Sequence, residues 1–286
     1  MKVIKQLIIG MVIGIANIIP GVSGGTMAVS MGVYDKLIHS VTHVIKEFKK
    51  SVKFLLPIVI GAGLALVGLA KLITIGLEEF PIPTNLFFIG LIIGGMPAIL
   101  KRLKDTNKKV SIGNYIAGLV FFAVVVGFAL IGEKEGGSAD IAFNVINVIK
   151  LFFVGVIASA TMVIPGVSGS MVLMLMGYYE NILGCISKFV DGLVAFDVPM
   201  MLEACGVLIP FGIGVLVGIA LIAKMIEWIF IKLPNYAYCS IIGLIVASPI
   251  AIVLMAGVTK YDIISIVVGI ITLVIGYIIA IKLGEK

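Results

Sequence analysis

The sequence predicts an all-α polytopic membrane protein built from two inverted-topology repeats, and three observations carry that reading. Of 286 residues, 61% are hydrophobic and only 13% charged, with a mean hydropathy of +1.25. A soluble domain carries about a quarter charged residues, so this chain could not cover its own surface in water. The apolar runs are continuous and rich in Leu, Ile and Gly instead of alternating, which favours spanning helices over a barrel. The string Pro-Gly-Val-Ser-Gly occurs twice, at 20–24 and 165–169.

Apolar segments run over roughly 3–19, 27–38, 54–77, 85–100, 113–132, 145–164, 171–186, 204–231, 236–257 and 261–283. The first follows Lys2 and Lys5 and imitates a signal peptide, but no small-x-small cleavage site follows it. It is read as a retained membrane element. Basic clusters follow the second segment (Lys46, Lys49, Lys50, Lys53) and the fourth (Lys101, Arg102, Lys104, Lys108, Lys109). The loops after the third, fifth and seventh segments are acidic, with Glu78 and Glu79, then Glu133, Glu135 and Asp140, then Asp191, Asp197 and Glu203. By the positive-inside rule the basic loops and both termini are cytoplasmic, the C-terminus being marked by Lys282 and Lys286. The net charge of +6 therefore reports topology and gives no ground for a nucleic-acid partner. Cys185, Cys205 and Cys239 form neither a disulfide framework nor a metal pattern and read as packing residues.

This charge pattern starts one half inside and the other outside. The halves also align. Residues 20–35 match 165–180 at an offset of 145, and at an offset of 153 Pro57 meets Pro210, Gly61 meets Gly214 and Lys71 meets Lys224. Opposed charge bias with internal similarity is the signature of inverted-repeat transporters. The predicted repeats are 1–143 and 144–286, each a re-entrant or short spanning helical hairpin plus three transmembrane helices.

The hairpin tips carry the chemistry. Pro20 ends one helix, the glycines allow a tight turn, and Gly24, Gly25 and Thr26 open the next. The first amides of a helix lack intrahelical acceptors and sit at its positive end. With the Ser23 and Thr26 hydroxyls they suit an anion, and Ser168 and Ser170 offer the same from the second copy. The expectation is one roughly symmetric pocket for a phosphate or carboxylate where the two tips meet. A tight turn capped by serine is the plainer alternative.

The stretch ANIIPGVSGGTMAVSMGVYDKLI (16–38) and its echo ATMVIPGVSGSMVLMLMGYYENIL (160–183) resemble the DUF368 membrane family over essentially the whole chain. That resemblance implies a polyprenyl (undecaprenyl) phosphate translocase of a prokaryotic cytoplasmic membrane, a flippase that recycles the carrier lipid for cell-wall biogenesis. Its partners would be the polyprenyl phosphate, the bilayer and a coupling ion, H+ or Na+; no cofactor is implied. Carried over by position, the motif falls on Pro20, Gly21, Ser23, Gly24, Gly25, Thr26, Gly32 and Tyr34, and on Pro165, Gly166, Ser168, Gly169, Ser170, Gly177, Tyr179 and Glu180. The family often has an acidic residue where this chain has Asn17, which can hydrogen-bond a phosphate but cannot carry a proton.

Asp35 and Glu180 are the symmetric carboxylates left, as coupling groups or solvated helix ends. Lys71 and Lys224 occupy equivalent places as head-group contacts or as snorkelling interfacial lysines. Arg102, the lone arginine, marks the cytoplasmic side and can attract anionic lipid heads. His39 and His43 have the i, i+4 spacing of a metal pair. No third ligand is near in sequence, so they read as a polar interfacial stripe, and Glu227 beside Trp228 reads as an interfacial anchor.

Enzyme readings fit poorly. A rhomboid-type serine protease needs a histidine base from another helix. An undecaprenyl-pyrophosphate phosphatase wants glutamates and an arginine beside the serines. Neither set adjoins either motif. A carrier for a soluble anion shares the same pocket and stays open as the alternative to a lipid carrier.

Overall fold

A computed structural model describes residues 3–17, 19, 22–107, 109–131, 139–256, 258 and 262–284. Among the described residues there are thirteen helices and no strand. In order they are α1 (Val3–Ala16), α2 (Gly24–Ser30), α3 (Tyr34–Thr42), α4 (Phe48–Gly68), α5 (Ala70–Glu79), α6 (Pro81–Asp105) and α7 (Ile112–Ile131). There follow α8 (Val145–Val163), α9 (Gly169–Leu175), α10 (Tyr179–Ala195), α11 (Val198–Lys232), α12 (Pro234–Met255) and α13 (Ile263–Gly284). Seven of them, α4, α6, α7, α8, α11, α12 and α13, are long and apolar enough to cross a membrane.

Three expected segments are broken. The run 27–38 divides into α2 and α3 because Gly32 takes φ 67°, and the run 171–186 divides into α9 and α10 because Gly177 takes φ 76°. A residue with a Cβ resists that left-handed conformation. The run 54–77 also divides, at Leu69, whereas its counterpart forms the single 35-residue α11. Pro57 and Pro210 stand inside α4 and α11, and Pro81 and Pro234 open α6 and α12. A proline at the first helical position gives up only an amide that has no partner there.

The chain packs as two compact units that do not follow its halves. One comprises Met1–Gly132, Ile164–Val167 and Ala223–Lys286; the other comprises Glu133–Val163 and Ser168–Ile222. In the first, glycines bring helix backbones together. Gly10 of α1 abuts Ile58 O of α4, and Gly61 of α4 abuts Leu7 O of α1. Gly90 and Gly276 do the same for α6 and α13, and Gly243 lies against Gly118 O of α7. Small residues permit this where lipid supplies no hydrophobic drive between helices. Val125 and Ala129 of α7 pack with Leu244, Ala247 and Ala251 of α12. In the second unit Gly155 of α8 abuts Phe211 O, and Gly214 of α11 abuts Phe152 O. Leu151, Cys185 and Val207 form its small core. The outward faces stay apolar, with Leu119, Val120, Leu216, Leu221, Ile270 and Ile271 all exposed. In a membrane that surface faces lipid.

Candidate functional site

The first turn begins where α1 stops. Asn17 donates from Nδ2 to the Ile13 carbonyl at 3.2 Å and accepts at Oδ1 from the Gly24 amide at 3.3 Å. Ser23 is extended and caps α2, its Oγ accepting from the Gly25 amide at 3.2 Å. Thr26 is fully buried, and its Oγ1 accepts from the Gly166 amide at 2.8 Å. The first Pro-Gly-Val-Ser-Gly copy thus bonds directly to a glycine of the second. Pro20 and Gly21 lie outside the described residues.

Three backbone donors that the sequence marks for an anion are therefore held here by three side-chain oxygens. Each is a neutral acceptor. A phosphate oxygen is an ionised one and makes a shorter and roughly twofold stronger bond. The geometry also explains two glycines. A Cβ on Gly24 would lie 2.9 Å from Asn17 Oδ1, and one on Gly166, at φ 84°, would lie 3.1 Å from Val125 and 3.2 Å from Leu244.

The second tip is built differently. Pro165 is buried. Ser168 occupies the same extended N-cap position as Ser23 but makes no capping bond. Its Oγ lies 2.8 Å from that of Ser170, which stands where the first copy has Gly25. Gly169 starts α9, and a Cβ on it would meet Met162 and Thr161.

The symmetric carboxylates part company. Asp35 forms an ion pair with Arg102, whose second guanidinium nitrogen donates to the Gly32 carbonyl at 3.1 Å. Tyr34 beside it is buried against Phe230. Tyr179 is half-buried and Glu180 exposed. Lys71 and Lys224 are both exposed, the disposition of a snorkelling lysine.

Next to Arg102 lies a cavity of about 540 Å³ whose polar lining includes Ser30, Lys101, Arg102 and Asp105. Ser30 is fully buried, and among the described residues its hydroxyl has no hydrogen-bond partner. A pocket with two cations and an unpaired hydroxyl suits an oxyanion. Sequence reasoning gave Arg102 a topological role and an attraction for anionic lipid heads, but not its pairing with Asp35. The available signal was a single arginine among many lysines, since only arginine supplies a planar fork of donors.

A second grouping also joins residues far apart in sequence. Glu227 of α11 meets both histidines, its Oε1 lying 2.8 Å from His39 Nδ1 and 3.4 Å from His43 Nδ1. The third group that the local sequence lacked comes from 188 residues away.

Comparison with known proteins agrees with the resemblance drawn from the two motifs. Residues 13–267 match the family described as VCA0040-like, undecaprenyl phosphate translocase-like. A polyprenyl-phosphate transporter of Staphylococcus aureus is 31% identical over 279 residues, spanning 96% of this chain and 94% of its own. One of Vibrio cholerae is 28% identical over 264 residues, spanning 87% of this chain and 77% of its own. No solved structure matches significantly. Both relatives are named as transporters and not as enzymes. With its seven candidate spans and its match across most of its length, this chain is a multi-pass membrane protein of the VCA0040-like, undecaprenyl phosphate translocase-like family.

Proposed function

We propose that this chain carries polyprenyl phosphate across the cytoplasmic membrane as an inverted-repeat transporter, recycling the lipid inward. A charged head cannot cross about 30 Å of hydrocarbon unaided. The repeat reading rests on structural correspondences at the two sequence offsets. Leu7 against Gly61 recurs as Phe152 against Gly214, and Gly10 against Ile58 recurs as Gly155 against Phe211. Gly32 and Gly177 share a positive φ, and Ser23 and Ser168 share an extended N-cap. At 14 and 7 residues, α1 and α2 are each shorter than a span, which favours a re-entrant first hairpin.

The carrying observation is the bond from Gly166 to Thr26, which brings parts of both motif copies to one place. There the lipid phosphate takes the place of the side-chain oxygens of Asn17, Ser23 and Thr26 on the Gly24, Gly25 and Gly166 amides, and the freed Ser23 and Thr26 hydroxyls donate to it. Ser168 and Ser170 offer the hydroxyls of the second tip. On the cytoplasmic side the head group then meets Arg102, Lys101 and Ser30 before release. It displaces Asp35 from Arg102, and the freed carboxylate takes the coupling ion, H+ or Na+. The polyprenyl tail stays in lipid.

The test is transport of labelled polyprenyl phosphate in proteoliposomes by the parent, Ser23→Ala, Ser168→Ala and Arg102→Lys. Each variant is expected to slow transport about 10-fold or more, as lost charge-assisted bonds do. If all three move lipid at the parent rate, this handling of the phosphate is wrong. A labelled soluble phosphate moved in place of the lipid would identify the other kind of anion carrier.

A further inference from the structure

The grouping of His39, His43 and Glu227 belongs to no step of phosphate transport. His39 lies near the end of α3, His43 caps that helix, and their rings stack with centroids 4.3 Å apart and an interplanar angle of 26°. Stacking at i, i+4 turns both Nδ1 atoms toward the same Glu227 oxygen, at 2.8 and 3.4 Å. All three groups offer a ligand atom, and these atoms lie within 4.8 Å of one another. Tetrahedral zinc, with bonds near 2.0–2.1 Å, needs its ligand atoms about 3.3 Å apart. The two Glu227 separations lie within about 0.5 Å of that value, and all three ligand atoms lie within 4.8 Å of one another, so adjustment of the side chains can close them on an ion. Each residue is only partly buried, which leaves a route for the ion and room for a water as fourth ligand.

The donor set also indicates which cation. Two imidazoles and one carboxylate suit zinc, cobalt, nickel or copper, while magnesium and calcium prefer oxygen alone. Without metal, Glu227 lies within hydrogen-bond distance of His39 Nδ1, and His43 Nδ1 lies 3.2 Å from the His39 carbonyl; coordination through Nδ1 places the proton of each neutral imidazole on Nε2. We propose that His39, His43 and Glu227 form a zinc-class divalent metal site that staples α3 to α11. The staple joins the first hairpin to a long helix whose C-terminal part lies in the same unit.

The experiment uses full-length protein in detergent, free of any histidine tag. Zinc is titrated calorimetrically, and cobalt is added separately for its absorption spectrum. The expected result is one saturable zinc per chain, cobalt taking the same site with the intense visible bands of tetrahedral coordination and yielding it to zinc, and no response to magnesium. Affinity should fall at least 10-fold in Glu227→Gln and in the His39→Gln/His43→Gln pair, within the 10–100-fold range typical of lost metal contacts. Unchanged stoichiometry and affinity in both variants would overturn the proposal. So would a sulfur-to-cobalt charge-transfer band in the parent, which would place the metal on a cysteine. The cobalt spectrum needs no substitution, so a variant that fails to fold does not remove the test.

Discussion

The backbone contact between α1 and α4 gives a sharp test of how the first hairpin is held. Gly14 is buried, and a Cβ added there would lie 2.6 Å from Ala62 O and 2.7 Å from Ala62 Cα. Ordinary contact begins at 3.4 Å, so Gly14→Ala must push the helices apart by about 0.8 Å. Overpacking of this kind costs about 1–3 kcal/mol, offset by the roughly 0.5–1 kcal/mol that alanine gains over glycine within a helix. The net expectation is a loss of about 1–2 kcal/mol. Gly63, on the α4 partner, is the control, because a Cβ there meets nothing within 4 Å. Gly63→Ala should keep the helical gain of about 0.5–1 kcal/mol. The two variants should therefore differ by about 2–3 kcal/mol. At about 2–4 °C per kcal/mol for a chain of this order, the difference in thermal unfolding in detergent is on the order of 5–10 °C. The two variants melting together would refute the close approach of α1 and α4.

Four further outcomes follow from the same geometry. Gly32→Ala and Gly177→Ala should each lower stability by about 1–2 kcal/mol in the same melt, because both positions hold a left-handed φ. Asn17→Asp retains an acceptor for the Gly24 amide and should melt within about 0.5 kcal/mol of the parent, whereas Asn17→Leu should lose about 1 kcal/mol, as a removed cap does. Arg102→Lys cannot span Asp35 and the Gly32 carbonyl as a fork, so lipid transport should fall while Lys101→Arg stays near the parent rate. Lys50→Cys and Lys104→Cys in a cysteine-free background should react with an impermeant thiol reagent from the cytoplasmic face alone; labelling from the other face would reverse the topology.

Much of the architecture was legible because membrane helices follow a simple physical rule. Backbone groups in lipid must be bonded within the helix, so spans show up as long apolar runs. The two helix-opening turns were legible too, since proline and glycine punctuate a helix by local sterics alone. The breaks at Gly32 and Gly177 escaped notice, because an isolated glycine in an apolar run carries no local mark of a positive φ. The amides at the first tip were correctly placed at a helix start. The bond between the two copies was not foreseeable, because the Gly166 amide that Thr26 accepts from lies 140 residues away.

By itself the sequence determined the all-helical membrane class, the repeated motif and the family, because composition, hydropathy and a duplicated string need no knowledge of who touches whom. Tertiary structure decided the pairings. It joined Arg102 to Asp35 while leaving Glu180 exposed, and it delivered Glu227 to two histidines. Each of these depends on which helices meet, and a glycine whose bare backbone lets another helix approach settles that only when both partners are in place.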